Sequence, residues 1–270
     1  MRVQAVKCFG ERPGDGNPAL VIEGDASNEA ARRALARERN TTCVFLDGDG
    51  GVVDFYYPHM RSPLCLHATL AAAHVLFARH PDAALLAVST AMRGQALELA
   101  RAEDAFFVRL RAQGGAQAAL PAGLPARLMA APGLQPASTP RVASVGSPKL
   151  LVEVADAASL HALRPDLEAI SAWSKTSGVN GVYTWCRLPA EQGQYLFEGR
   201  NFNHLDPRLE DSATGVAAGA LTALLGHGLQ LKQGRATGRA CLIATRIEGD
   251  AILVGGRVEP DAVVTSFAAP

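Results

Sequence analysis

The chain has 270 residues, and its 26 basic and 26 acidic side chains give a formal net charge of zero. That balance argues against a nucleic-acid binder and against a protein held on anionic membranes by charge. No apolar run approaches the roughly 20 residues that span a bilayer, and the first residues lack the pattern of a signal peptide. We therefore expect a cytoplasmic protein with no nucleic-acid or membrane partner.

Length and cysteine usage narrow the class further. A chain of this length exceeds the usual size of one domain, and 48% of its residues are hydrophobic, so two domains with sizeable cores are expected. Its five cysteines are scattered and form no CxxC pair. We therefore expect free thiols and neither a disulfide framework nor a metal site.

In chain order, the first half alternates strands with two helices. The segments "ALVIEG", "TTCVFLDG" and "GVVDFYYP" are predicted strands, "SNEAARRALARER" is a predicted helix, and a second helix enters through Pro63. Short apolar runs then follow, as in an antiparallel sheet. The Ala-, Pro- and Gly-rich residues 126–139 are the predicted linker between a domain over 1–125 and a domain over 140–270.

Two similar segments, one in each half of the chain, form an internal repeat. "HATLAAAHVL" (67–76) and "SATGVAAGAL" (212–221) align without gaps and share Ala-Thr, Ala-Ala and the final Leu. Small residues all round a helix suit a helix enclosed by other elements. The pattern predicts two similar domains, each a sheet wrapped around a central helix.

The two helix starts carry side chains suited to proton transfer. The first has Cys65 and His67, and the second has Asp211, Ser212 and Thr214. Unpaired N–H groups at a helix start bind carboxylates, and they stabilise the charge left when an adjacent proton is removed. Taken singly, Cys65 fits core packing and Asp211 fits an ordinary N-cap. The pairing of two such starts favours proton chemistry without metal or organic cofactor.

These motifs together resemble the PhzF-like phenazine-biosynthesis family, part of the diaminopimelate-epimerase-like superfamily. "GNPALVI" resembles its GNPAAVV, "PLCLHATLAAAHVLF" its PFCGHATLAAAHVLF, and "LEDSATGVAAGAL" its EDPATGSAxxAL, in the family's order. The resemblance implies an α+β fold of two pseudo-symmetric domains, each a mixed, mostly antiparallel sheet rolled around a central helix. It also implies a homodimer, a site in the cleft between the domains, and a cofactor-independent isomerase. By motif, His67 and Asp211 match residues that the family uses in catalysis. Thr69, Thr214 and Gly215 match the family's residues beside them at the two helix starts.

Four positions depart from the family pattern. The family's catalytic glutamate is replaced by Thr42 or Cys43, according to where one residue is deleted. Leu66 replaces the glycine before the histidine, Val216 replaces a serine, and Ser212 replaces a proline. Phenazine-type isomerisation by a glutamate is therefore not expected.

Three functions remain open. The leading one is an isomerase that moves a proton next to the carboxylate of a small amino or hydroxy acid. The second is a degenerate family member that binds a small ligand or a partner, and the third is a one-base cysteine isomerase or dehydratase that uses Cys65, which resembles the acid/base cysteine of the related epimerases. The catalytic candidates are His67, Asp211, Cys65, Cys43 and Thr42, and the substrate-binding candidates are Asn17, Leu66, Ala68, Thr69, Ser212, Thr214, Gly215 and Val216.

Overall fold

A computed structural model describes residues 1–47, 51–103, 105–114, 120–190, 193–203 and 210–261. The chain forms two compact units. Unit 1 comprises Met1–Arg109 together with the residues from Gly255 onward, and unit 2 comprises Leu110–Val254. The predicted linker, 126–139, lies within unit 2.

Unit 1 is a mixed sheet with one helix on each of two sides. Its elements are β1 (Arg2–Cys8), β2 (Asn17–Glu23), α1 (Glu29–Arg39), β3 (Thr42–Asp47), β4 (Val52–Tyr56), β5 (Arg61–Ser62), α2 (Leu66–Arg79), β6 (Leu85–Thr90), β7 (Ala96–Ala102) and β8 (Ala105–Arg111). Most neighbouring strands are antiparallel, while β2 pairs with β3 and β4 pairs with β6 in parallel.

Helix α2 is the buried helix of unit 1. Eleven of its 14 residues are buried, and it packs against β1, β2 and β3. Its alanines allow this close enclosure because they put little bulk between the helix backbone and the sheet. Helix α1, in contrast, has one buried residue, Ala36, which belongs to an apolar cluster with Cys43 and Phe45 of β3.

Unit 2 repeats this organisation with two additional short helices. Its elements are α3 (Leu124–Leu128), β9 (Arg141–Ala143), β10 (Lys149–Glu153), α4 (Ala157–Ala162), α5 (Leu167–Ser177), β11 (Val182–Arg187), β12 (Leu196–Phe202), β13 (Glu210–Asp211), α6 (Gly215–Leu225), β14 (Gln230–Gln233), a 3₁₀ turn (Arg235–Thr237), β15 (Cys241–Glu248) and β16 (Ala251–Pro260). Strand β16 begins in unit 2 and ends in unit 1, where Val258–Pro260 pair with β1.

The order of strand pairings is the same in the two units. In unit 2, β9 to β12 pair antiparallel, parallel and antiparallel, then β12 pairs with β13 antiparallel and with β14 in parallel, and β14 pairs antiparallel with β15. Strands β1 to β7 follow the same order. In each unit a two-residue strand leads into a buried helix. The predicted α+β fold of two pseudo-symmetric domains, each with a central helix, is confirmed.

Glycine explains how closely α6 packs. A Cβ on Gly219 would lie 2.7 Å from a methyl carbon of Val145 and 3.0 Å from one of Val254. The helix also packs against β9, β10 and β15. Small residues therefore allow the helix backbone to approach the sheet in unit 2 as they do in unit 1.

Candidate functional site

The start of α2 holds a thiol and an imidazole in contact. Cys65 is the N-cap residue in an extended conformation, but its side chain does not cap the helix. Its Sγ lies 3.3 Å from Nδ1 of His67, and both residues are buried. A thiol within hydrogen-bonding distance of an imidazole is an arrangement in which a proton can pass between the two groups.

Two hydroxyl groups fix this first turn. The Ser62 hydroxyl donates to the carbonyl of Leu64 at 2.9 Å, which shapes the chain that enters the helix. The Thr69 hydroxyl donates to the carbonyl of Cys65 at 2.8 Å, and the Thr69 N–H donates to the same oxygen at 2.9 Å. The backbone that carries Cys65 and His67 is therefore held from both sides.

The other predicted substrate-binding residues of unit 1 lie in this turn or at the start of β2. Leu66 and Ala68 are buried in the first turn of α2, with Leu66 between the two reactive side chains. Asn17 begins β2 and pairs with Cys8, so it closes the β1–β2 hairpin. Sequence reasoning missed Tyr57, whose ring centroid lies 6.4 Å from that of His67.

The two candidates for the missing glutamate lie next to each other in β3 and are both buried. The Cys43 side chain belongs to the apolar cluster under α1, and its thiol donates to the Thr41 carbonyl at 3.6 Å. Burial raises the pKa of Cys43 to about 12, so little thiolate exists near neutral pH. Because side chains alternate along a strand, Thr42 points to the face opposite Cys43.

In unit 2, the start of α6 holds a carboxylate in a polar network. The Thr214 hydroxyl donates to Oδ2 of Asp211 at 2.7 Å, and the N–H of Ala213 donates to Oδ1 at 3.4 Å. The Gln233 amide donates to the Asp211 carbonyl at 2.7 Å and to the Thr214 hydroxyl at 3.1 Å. Asp211 is therefore oriented by both the helix start and β14.

Gln233 connects this network to the sheet. Its Oε1 accepts hydrogen bonds from the Thr214 N–H at 3.3 Å and from the Tyr183 hydroxyl at 3.0 Å. The Tyr183 ring passes over Gly199, where any Cβ would collide with the phenol. Burial, reinforced by Asp211, raises the pKa of Tyr183 well above its ordinary value, so the phenol stays neutral and donates.

The remaining predicted residues of unit 2 also lie at this helix start. The hydroxyl of Ser212 lies 2.8 Å from that of Thr237. Gly215 is the first residue of α6, and Val216 beside it is half-buried. Sequence reasoning missed Gln233 and Tyr183. In "LQLKQ" (229–233), Gln233 is two residues after buried Leu231, so on a strand the two side chains share a face, and this spacing could have indicated Gln233.

The structure corrects how the two helix starts correspond. The N-cap residue of α2, Cys65, follows β5 by three residues, and the N-cap residue of α6, Thr214, follows β13 by three residues. Thr214 is thus the counterpart of Cys65. The ungapped alignment of 67–76 with 212–221 pairs Ser212 with His67, so that pairing is displaced along the helix.

Two further properties concern what the chain could bind. Within the described ranges, no three His, Cys, Asp or Glu side chains come together as a metal site would require. None of the helices in that part of the chain has the length and apolar character to cross a membrane.

Comparison with known proteins finds one family model that matches nearly the whole chain and several similar isomerases. A family model described as "Phenazine biosynthesis-like protein" matches residues 6–262. An uncharacterized isomerase of Deinococcus radiodurans is 31% identical, over 88% of this chain and 80% of its own. The trans-2,3-dihydro-3-hydroxyanthranilate isomerase of Pseudomonas chlororaphis is 28% identical, over 90% of this chain and 89% of its own. The solved structure of a predicted epimerase from Pseudomonas aeruginosa, PA4716, is similar with a TM-score of 0.76 and 27% identity, covering 98% and 99% of the two chains.

Proposed function

Since the chain belongs to the phenazine biosynthesis-like protein family and is an isomerase of that family, we propose that it moves a proton next to the carboxylate of a small amino or hydroxy acid without a cofactor. The observation that carries this proposal is the 3.3 Å contact between the Cys65 thiol and the His67 imidazole at the start of a buried helix. An imidazole is suited to this role because its unperturbed pKa lies near neutrality.

The other groups act around that proton transfer. The positive N-terminal end of α2 stabilises negative charge that develops on the substrate as the proton leaves. Asp211, held by Thr214 and Gln233, is the second proton-handling group. Because neither Thr42 nor Cys43 supplies a carboxylate in place of the family glutamate, His67 takes over the role of base.

A one-base cysteine isomerase or dehydratase is the second candidate, and it is favoured by the same contact. His67 can draw the proton from the Cys65 thiol, which makes a thiolate base. The counterpart of Cys65 in unit 2 is Thr214, whose hydroxyl already donates to Asp211. A two-thiol racemase is therefore not proposed.

Solvent deuterium incorporation tests the proposal. The protein is incubated in D₂O with a panel of small amino and hydroxy acids, including trans-2,3-dihydro-3-hydroxyanthranilate, and proton NMR follows the carbon next to the carboxylate. We expect exchange with at least one acid, and we expect His67→Gln to lower its rate about 100-fold, as is typical when a general base is removed.

Two cysteine variants separate the candidate mechanisms. If Cys65 is the base, Cys65→Ala lowers the exchange rate as much as His67→Gln does. If it only supports His67, the loss is smaller. Cys43→Ala is the matched control, since it removes a buried thiol that lies in the apolar cluster under α1. If the wild-type protein exchanges no acid of the panel, the isomerase proposal fails and the ligand-binding alternative is favoured.

A further inference from the structure

Unit 2 contains a buried lysine that the proposed chemistry does not use. Lys149, the first residue of β10, is 1% exposed. Its ammonium makes no hydrogen bond and no ion pair with the residues that the structure describes, and among those residues the charge that acts on it is the more distant Asp211 carboxylate. An ammonium removed from water is costly unless a partner compensates it.

The sheet places Lys149 on the same face as the α6 network. Leu150 and Val152 point into the apolar cluster on one face of β10, so Lys149 and Leu151 point to the other. Leu151 pairs with Tyr183 on the neighbouring strand. Tyr183 is the residue whose hydroxyl reaches Gln233. Lys149 therefore lies on the face where Asp211 and Thr214 are held.

A second uncommitted polar group lies on this face. Asn201 of β12 pairs with Tyr183 on one side and with Asp211 on the other, so the three side chains share a face. Asn201 is 0% exposed, and neither its Oδ1 nor its Nδ2 has a hydrogen-bond partner in the described part of the chain. An unsatisfied buried amide is destabilising, so it calls for an explanation.

The neighbouring polar groups do not supply that explanation, because in the described part of the chain none of them hydrogen-bonds to the Asn201 amide. The Tyr183 hydroxyl donates to Gln233, and the Asp211 carboxylate accepts from Thr214 and Ala213. What remains is an ammonium that needs an anion and an amide that can both donate and accept. A carboxylate next to a hydroxyl or amino group has this complement of charges and hydrogen bonds.

We propose that Lys149 and Asn201 are substrate-binding residues, in which the ammonium pairs with the substrate's carboxylate and the amide bonds to its hydroxyl or amino group. This inference rests on the proposed function, and it specifies that function further: a side chain of unit 2 recognises the substrate's charge. Lys149 is thus a specificity residue that separates acids from their neutral analogues.

Lysine-resolved NMR tests this directly, since the chain has only four lysines, Lys7, Lys149, Lys175 and Lys232. The protein is labelled with ¹³C at the lysine Cε atoms, and Lys149→Met assigns the Lys149 resonance. The labelled protein is then titrated with each panel acid and with the primary amide of the same acid. We expect a bound acid to shift the Lys149 resonance and to raise the Lys149 pKa, and we expect the amide to do neither.

Binding measurements with variants complete the test. Lys149→Met should weaken acid binding about tenfold or more, as expected for loss of a charged hydrogen bond, and leave amide binding unchanged. Lys175→Met, which removes the same charge from an exposed position of α5, should leave both unchanged. Asn201→Leu should weaken hydroxy and amino acids but not the matched acid that lacks the hydroxyl or amino group. Thermal unfolding verifies that each variant is folded.

The outcomes separate this inference from the proposed reaction. If acids shift the Lys149 resonance but no deuterium is exchanged, the reaction fails and the binding role stands. If exchange persists in Lys149→Met with the same preference for acid over amide, the binding role is overturned and the reaction stands. Failure of every panel acid to bind, or binding that leaves the Lys149 resonance in place, also overturns the role of Lys149.

Discussion

The Lys149 ammonium is buried in the folded protein and solvated in the unfolded chain, so the two states bind its proton with different affinity. Burial lowers the pKa of Lys149 from 10.5 to about 8, against an opposing effect of Asp211. Below pH 8 both states are protonated. Between pH 8 and 10.5 the unfolded chain holds a proton that the folded protein has released, so the free energy of unfolding rises with pH across this window.

The first prediction is that this alkaline gain disappears in Lys149→Met. At about 1.4 kcal/mol per pKa unit, the gain reaches up to about 3 kcal/mol by pH 10.5. Urea unfolding of the wild-type protein and of Lys149→Met at several pH values from 7 to 10.5 measures it as the difference between the two curves. Lys175→Met is the control, and its curve should run parallel to that of the wild type. Parallel curves for wild type and Lys149→Met would contradict the prediction.

Residues within the motifs could be located from the sequence, whereas the residues that support them could not. Cys65 and His67 are two positions apart, so their proximity at a helix start follows from local structure alone. Asn201 and Asp211 face each other because β12 and β13 pair in one register, and Gln233 reaches both Tyr183 and Asp211 from a later strand. Such contacts depend on strand order and register, which the sequence pattern did not specify.

At the level of secondary-structure elements, the internal repeat predicted the two buried helices, but its ungapped alignment paired their residues out of register. The ungapped alignment matched alanines, and in an alanine-rich helix a shift of one turn brings small residues back onto the same face. Cap positions define the correspondence better, because each follows a short paired strand by three residues. This is why Thr214 corresponds to Cys65.

The second prediction concerns the crossing of Tyr183 over Gly199. In Gly199→Ala the new methyl group would collide with the Tyr183 phenol, so the ring must move and the hydrogen bond to Gln233 must break. We expect a loss of about 1–3 kcal/mol in the free energy of unfolding, as is usual for overpacking. We also expect slower deuterium exchange, since Gln233 orients Asp211 and Thr214.

Two controls separate packing from hydrogen bonding in this test. Gly133→Ala adds the same methyl group where no atom lies within 4 Å, so it should affect neither stability nor exchange. Tyr183→Phe keeps the ring and removes only the hydroxyl, so it should slow exchange with a smaller loss of stability. Unchanged exchange in both Gly199→Ala and Tyr183→Phe would show that the Gln233 link does not support the site.

At the level of the whole molecule, the repeated order of strand pairings accounts for the likeness of the two helix starts. Each unit builds a parallel pair, an antiparallel return and a short strand before its buried helix, so each presents a helix start in the same local frame. The sequence pattern did not reveal this repeat of strands, because one helix lies between β2 and β3 whereas two lie between β10 and β11. Strand β16 links the two repeats through the chain itself.

The third prediction is that His67 and Asp211 act in one reaction. His67 belongs to unit 1 and Asp211 to unit 2, and both handle protons in the proposed function. If so, His67→Gln and Asp211→Asn should each slow deuterium exchange about 100-fold, and the double variant should be little slower than the slower single variant. Independent roles would instead multiply the two losses.

The control for Asp211→Asn is the same substitution at another aspartate. Asp166→Asn makes the same chemical change at an exposed N-cap of α5. It should leave exchange unchanged in both the wild-type and the His67→Gln backgrounds. Exchange is measured in a single turnover at saturating substrate. Losses for His67 and Asp211 that multiply fully would mean that the two residues do not serve the same proton transfer, whereas coupled losses would support a single reaction that uses both residues.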